Sequence, residues 1–338
     1  MKQTVVGFLV LLLAIAGFAA APPPAQSKTN TATQPAQDPV EAEYEKLLEL
    51  DDEAQAEVDK WIRENMEFAS KGAGVPVAEM KRRIEERFKP VRQAYEQFIQ
   101  AHPKHSNARV AYASFLGDIH EEDKAQEQLE KALAIDTNNP AIYNNLANIY
   151  GHTGPVKKAF DCYTKAIALN PKEPVYYHNF GTTVYLFRTD AREYYAITES
   201  EVFDKALELY DKALKLDPTN FPLASDVAQT YYGIKPPRTE EALKAWTNAL
   251  SIARDEIERE GVYVHFARIK LNAGRIEEAR NHLHAVTNGM YADLKKRLAR
   301  NLAEKEAELA TNAPAATLPA GKSSAAATPD PAPPASPN

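Results

Sequence analysis

The chain has little cysteine: one residue, Cys162, in 338. That excludes an internal disulfide, a paired-cysteine redox motif and a cysteine zinc cluster. On a helix next to Tyr163, Cys162 reads as a small apolar filler, with a reactive thiol as the sharper alternative. Glycine is sparse, at 13 residues, and no Gly-rich phosphate loop occurs. No His-Glu-x-x-His occurs either, and the eight histidines are scattered. His282 and His284 are two apart, so a helix sends them to different sides. His102 and His105 flank Pro103, but two ligands without a third make a poor metal site. Carboxylates are common on solvated faces and single out no acid/base pair. These absences predict a non-enzyme without cofactor or metal. Positive charge is also in deficit, with 40 Lys and Arg against 47 Asp and Glu, a net charge of −7. A nucleic acid or an anionic membrane surface would want a basic face, so neither is expected as partner.

Long apolar runs are confined to the start. Lys2 precedes an apolar run from Val5 to Ile15, and Gly17-Phe18-Ala19 follows. Residues 1–19 therefore read as a cleaved signal peptide, which makes the protein exported, periplasmic or extracellular. The run is short for a span of about 20 residues. The alternative is an uncleaved anchor in the inner membrane, formed by residues 4–21. No cysteine follows the run, so it is not a lipoprotein signal. Residues 20–39, rich in Pro, Ala, Gln and Thr, read as a disordered linker. Residues 312–338 are Ala/Pro-rich and nearly uncharged, and read as a disordered tail. The tail is either a spacer or an unselected terminus.

What is present between these ends is a recurring frame. Ala125, Ala159, Ala206, Ala242 and Ala279 are spaced by 34, 47, 36 and 37 residues. Four places after each comes a bulky residue: Leu129, Tyr163, Tyr210, Trp246 and Leu283. Three further on comes a small one: Ala132, Ala166, Ala213, Ala249 and Val286. Offsets of three and four place all three on one helix face. Two small residues admit a neighbouring helix, and the bulky one fills the gap. Stacked units of this kind bury a continuous apolar face.

The best copy runs from Pro140 to Pro171, with Tyr143, Leu146, Ala147 and Tyr150, a Gly154-Pro155 turn, then Ala159, Tyr163 and Ala166. It resembles the tetratricopeptide repeat family, with Tyr143 for the usual Trp and Ala147 for the usual Gly. The resemblance implies an all-α, tetratricopeptide-repeat α-solenoid of about five helix pairs with helical caps. The expected organisation is an N-terminal helical cap and degenerate repeat over 40–105, repeats over 106–289 with an insert near 188–198, and a capping helix over 290–311. Pro90 is expected to kink its helix or to open a new one. Thr198-Glu199-Ser200-Glu201 reads as a capping box that starts the helix after the insert.

The resemblance also implies a groove lined by the first helix of each pair. Just before the central apolar residue stand Asn145, Asn179, Asp226 and His265, with Asn144, Asn148, His178 and Thr182 nearby. Such a strip would meet an extended peptide's main chain, because Asn both donates and accepts. The plainer alternative is a solvated polar face. The clamp that family members use on chaperone C-termini is not implied, since Asn144, Pro222 and Asp226 hold its basic slots. In the insert, Tyr194 and Tyr195 either offer a binding surface at the groove's edge or fold back to cover a lengthened helix. The function expected is a protein- or peptide-binding scaffold of unknown partner and oligomeric state, in the cell envelope or outside the cell. Rival readings are a membrane-tethered assembly factor and a helical-repeat wall hydrolase.

Overall fold

A computed structural model describes residues 38–312, Lys71 excepted. The expected signal peptide, nearly all of the linker and the tail beyond Asn312 lie outside the described residues. Among the described residues there are fourteen α-helices and no strand. They fall into two compact units, divided between Ile252 and Ala253.

The first unit opens with α1 (Pro39–Ser70) and α2 (Val77–Ala101). Tyr44, Leu47, Ala54 and Val58 form the buried stripe of α1. Met66, nearer the end of α1, is 36% exposed. Pro90 neither breaks α2 nor starts a new helix; α2 runs through it. Val91, Tyr95 and Phe98 of α2 are buried, as the degenerate repeat requires. His102 and His105 are not paired with each other. Their Nε2 atoms lie 3.3 Å from Glu43 and 3.2 Å from Glu41, and His105 Nδ1 accepts from the Ala108 amide. Both rings thus hold α1 against the next turn.

Four helix pairs follow. They are α3 (Ser106–Asp118) with α4 (Glu122–Ile135), and α5 (Pro140–Thr153) with α6 (Val156–Leu169). Next come α7 (Pro174–Leu186) with α9 (Glu199–Leu216), separated by the short α8 (Arg188–Tyr195). The last pair is α10 (Phe221–Thr230) with α11 (Thr239–Ser251). Local chemistry sets the starts. Asn139 Oδ1 accepts from the Ala141 amide and Asn220 Oδ1 from the Leu223 amide, each with a proline in the first turn of its helix. Thr198 and Glu201 form the expected capping box on α9. Gly154 ends α5 at φ 68, a value that L side chains rarely adopt.

Every member of the small–bulky–small frame is buried, from Ala125, Leu129 and Ala132 through Ala242, Trp246 and Ala249. The reason is visible at α7 and α9, where a Cβ on Gly181 would come 2.9 Å from the Tyr210 ring. At this crossing the helices are too close to admit a Cβ at position 181 without a shift of the Tyr210 ring.

The second unit holds α12 (Glu256–Asn272), α13 (Ile276–Ala285) and α14 (Ala292–Asn312). Ala279, Leu283 and Val286 are buried against Val264, Ala267, Leu298 and Leu302. One polar group is buried with them. Glu260, 2% exposed, accepts from the Thr287 hydroxyl at 2.7 Å and from the amides of Thr287 and Asn288 at 2.8 and 2.7 Å. It ties α12 to the turn that launches α14. The Thr287 hydroxyl first, then the Asn288 amide, hold its carboxyl below the ordinary value of 4.5. A carboxylate whose folded pKa is depressed stabilises above its unfolded pKa and loses that contribution as pH falls through the folded one. Glu260→Gln should therefore be less stable than wild type at neutral pH, and the gap should close as pH drops below about 4.5. Melting curves of both proteins from neutral pH to acid check this. A gap independent of pH would contradict it.

Candidate functional site

The polar residues of the first helices meet in the first unit, but not on an open surface. Asn144 and Asn179 are fully buried, at 0%, and Asn145 and Asn148 are at 6% and 9%. The expectation that these four line an open peptide-binding groove is corrected, and so is the plainer alternative of a solvated face: all four are buried. The first helices α3, α5 and α7 pack directly on one another, so at Asn145 and Asn179 the slot before the central apolar residue looks into the next helix.

A burial of this kind is stable only if the amides are satisfied. Asn179 Nδ2 on α7 donates to Asn144 Oδ1 on α5 at 3.1 Å. Asn144 Nδ2 donates to Asn145 Oδ1 at 2.9 Å, and Asn145 Nδ2 donates to Ser114 Oγ on α3 at 3.3 Å. One chain of amides thus threads three successive first helices. A second group links a first helix to its own partner and to the next pair. The Tyr163 hydroxyl of α6 donates to Asn148 Oδ1 at 2.7 Å. The Thr183 hydroxyl lies 3.2 Å from it and 2.9 Å from the Asn179 carbonyl oxygen. Burial pushes the Tyr163 hydroxyl far above its usual pKa, so it stays protonated and can donate. A third link joins α9 to α7, where the Tyr210 hydroxyl donates to Thr182 Oγ1 at 3.0 Å.

His178, Thr182 and Asp226 remain accessible. His178 Nε2 lies 3.4 Å from Asp226 Oδ2 across α7 and α10, and the Asp226 side chain is 52% exposed. His265 lies in the second unit, on α12. Burial lowers its pKa to about 4, so it is neutral at pH 7.

The insert is also corrected. Residues 188–195 are a helix, not a loop, and they pack on α6, the second helix of the preceding pair. The Tyr194 and Tyr195 rings lie 5.2 and 5.8 Å from Phe160, and the Tyr194 hydroxyl donates to Asp161. Lys205 sits 4.2 Å over the Tyr195 ring. Both aromatics fold back, and neither meets the first-helix polar groups. Cys162 is half-buried, and burial pushes its thiol up to about 11, which makes it a poor nucleophile at neutral pH.

Residue reading missed Ser114, Tyr163, Thr183 and Tyr210 as polar partners. Tyr163 and Tyr210 were legible as the bulky members of the repeat frame. Their hydroxyls only gain a role once the helix facing them is known.

The tetratricopeptide repeat family model matches residues 140–173. A relative in the cyanobacterium Prochlorococcus marinus, the photosystem I assembly protein Ycf3, is 35% identical over 103 residues, covering 29% of this chain and 59% of Ycf3. The human protein O-mannosyl-transferase TMTC1 is 26% identical over 132 residues, 39% of this chain and 14% of TMTC1. The chain thus spans less than two thirds of either relative. The crystal structure of PilW, a type IV pilus biogenesis factor, superposes with a TM-score of 0.52 at 15% identity, over 72% of this chain and 98% of PilW. That likeness shows the fold. The best sequence copy, the matched repeat and the buried helix-pair frame coincide, and residues 140–173 form a tetratricopeptide repeat within a stack of helix pairs.

Proposed function

We propose that the protein is a non-catalytic scaffold that binds a protein or peptide, acting in the cell envelope or outside the cell. The observation that carries this reading is the stack of helix pairs, one of them matched by the family model, whose first helices keep His178, Thr182 and Asp226 accessible beside a buried hydrogen-bond network. A rigid layer with accessible polar groups binds without a large ordering cost. The non-catalytic part is supported by how the reactive side chains are used. His102, His105 and Tyr194 are engaged in contacts between helices, and Cys162 is held as a protonated thiol. Ycf3, named as an assembly protein, supports a role in bringing other proteins together.

The location rests on Lys2, the run from Val5 to Ile15 and the small-residue site at Gly17-Phe18-Ala19. The same run favours one second reading, an assembly factor tethered by an uncleaved N-terminus. Mass spectrometry of the mature N-terminus separates the two, since cleavage after Ala19 leaves Ala20 first. Crosslinking pull-down from the native envelope tests the scaffold itself. Recovery of no protein above a mock control would sink it.

A further inference from the structure

One end of the first unit holds apolar groups out in water. Among the described residues twelve large apolar side chains are exposed, and four of them, Met66, Phe68, Val75 and Val77, fall within residues 66–77. They stand where α1 gives way to α2. The turn between the helices is built, not loose. The Ala73 amide donates to the Phe68 carbonyl at 2.9 Å, and the Val75 amide donates at 2.7 Å to Oδ1 of Asn65, itself buried. A Cβ on Gly74 would come 2.7 Å from the Cβ of Ala69, so a glycine lets the turn lie this close to α1. Clustered apolar exposure on an ordered turn marks an interaction surface.

Charge is layered behind this tip. Arg83 lies 3.8 Å over the Trp61 ring, and Arg87 pairs with Glu57 at 2.7 Å. The two contacts set α1 and α2 side by side in opposite directions, with residues 60–63 level with 81–84. That level carries Lys60, Arg63, Lys81, Arg82 and Arg83, with Glu64 and Glu79 paired to Lys60 and Arg82. At 1.5 Å per residue it lies roughly 6–12 Å behind Phe68 and Val77. Over residues 60–83 the sequence has six basic and three acidic residues, in a chain whose net charge is −7. The acids Glu57, Asp59, Glu85 and Glu86 come one level further back. The negative total that argues against an anionic surface for the whole chain therefore conceals a basic ring at this end.

An apolar tip, a ring of basic residues with a tryptophan, and then an acidic body follow the order of a bilayer: hydrocarbon, anionic headgroups, water. A protein surface would demand no such sorting by depth. We propose that the α1–α2 tip is a lipid-docking surface, which seats Met66, Phe68, Val75 and Val77 in the boundary layer of a bilayer rich in anionic lipid. The basic ring then meets the headgroups, and the acidic body stays clear of them. Such docking would hold the scaffold against a membrane by a route separate from residues 1–19.

Phe68→Trp, an apolar exchange at an exposed site, puts a reporter on the tip of the full chain. On phosphatidylcholine vesicles with about 30% phosphatidylglycerol, its emission should shift to the blue by about 5 nm or more and be quenched by brominated acyl chains. The parent chain supplies the background from Trp61 and Trp246. The lipid concentration for half the shift should rise about tenfold or more on phosphatidylcholine alone, and likewise when Arg63→Glu and Lys81→Glu are added. Raising salt from roughly 50 to 500 mM should weaken the response as well. Thermal melts confirm that each variant folds. Because the reporter sits on the tip, attachment through residues 1–19 does not mimic the result. An unshifted reporter on the anionic vesicles overturns the proposal. So does an equal response on neutral vesicles or in the charge-reversed variant, since the basic ring would then have no part in docking. Either outcome leaves the scaffold reading standing.

Discussion

Tyr163→Ala should destabilise the first unit by about 3–5 kcal/mol, the cost of removing a large aromatic from a packed core. Tyr163 is 0% exposed and sits between Ala159 and Ala166 on one face of α6. Its ring lies 5.3 Å from that of Phe180 on the next first helix, nearly parallel at 22°. Its hydroxyl donates to Asn148 and lies beside Thr183. Truncation therefore removes ring contacts across two helix pairs and leaves Asn148 Oδ1 without this donor. Tyr163→Phe separates the contributions. It keeps the ring and loses the hydroxyl, and should cost about 1–3 kcal/mol for the buried acceptor left behind. Urea or thermal unfolding of both variants gives the two values. A loss below about 1 kcal/mol for Tyr163→Ala would contradict the register of the whole array, because the same slot holds Leu129, Tyr210 and Trp246.

Asn144→Leu should cost roughly 2–6 kcal/mol, about 1–3 for each of two buried amide groups that lose their partner. Asn179 Nδ2 would lose its acceptor on α5, and Asn145 Oδ1 its donor. The leucine adds apolar volume where the surroundings are shaped for an amide, so little is recovered. Asp226→Ala is the control. Its carboxylate is half exposed and pairs with His178 at 3.4 Å, so the change should stay within about 1 kcal/mol. Equal stability losses in the two variants would mean that the amide chain is not a closed buried network. The contrast bears on any binding experiment. A loss of affinity in Asn145→Ala or Asn179→Ala reports on folding as much as on contact, whereas a substitution at Asp226 reports on the surface.

The helix pairs, their register and their ends follow from residue order alone. The small–bulky–small frame repeats because every pair meets the same steric demand at its crossing, so Ala159, Tyr163 and Ala166 could be placed from spacing. Asn139, Asn220, Thr198 and Gly154 act on backbone within three residues of themselves, so their capping roles are equally legible. What the polar side chains face is a different matter, fixed by how the helices pack. A helix wheel places Asn145 and Asn179 on one side of their helices, but not whether that side meets water or the next helix. The packing of α5 against α3 and α7 settled this in favour of burial, and it turned an expected row of ligand contacts into an amide chain within the core. The insert followed the same rule. Tyr194 and Tyr195 were visible as aromatics in extra sequence, but their direction depended on Phe160, some thirty-four residues away, and a contact at that separation has no local signature.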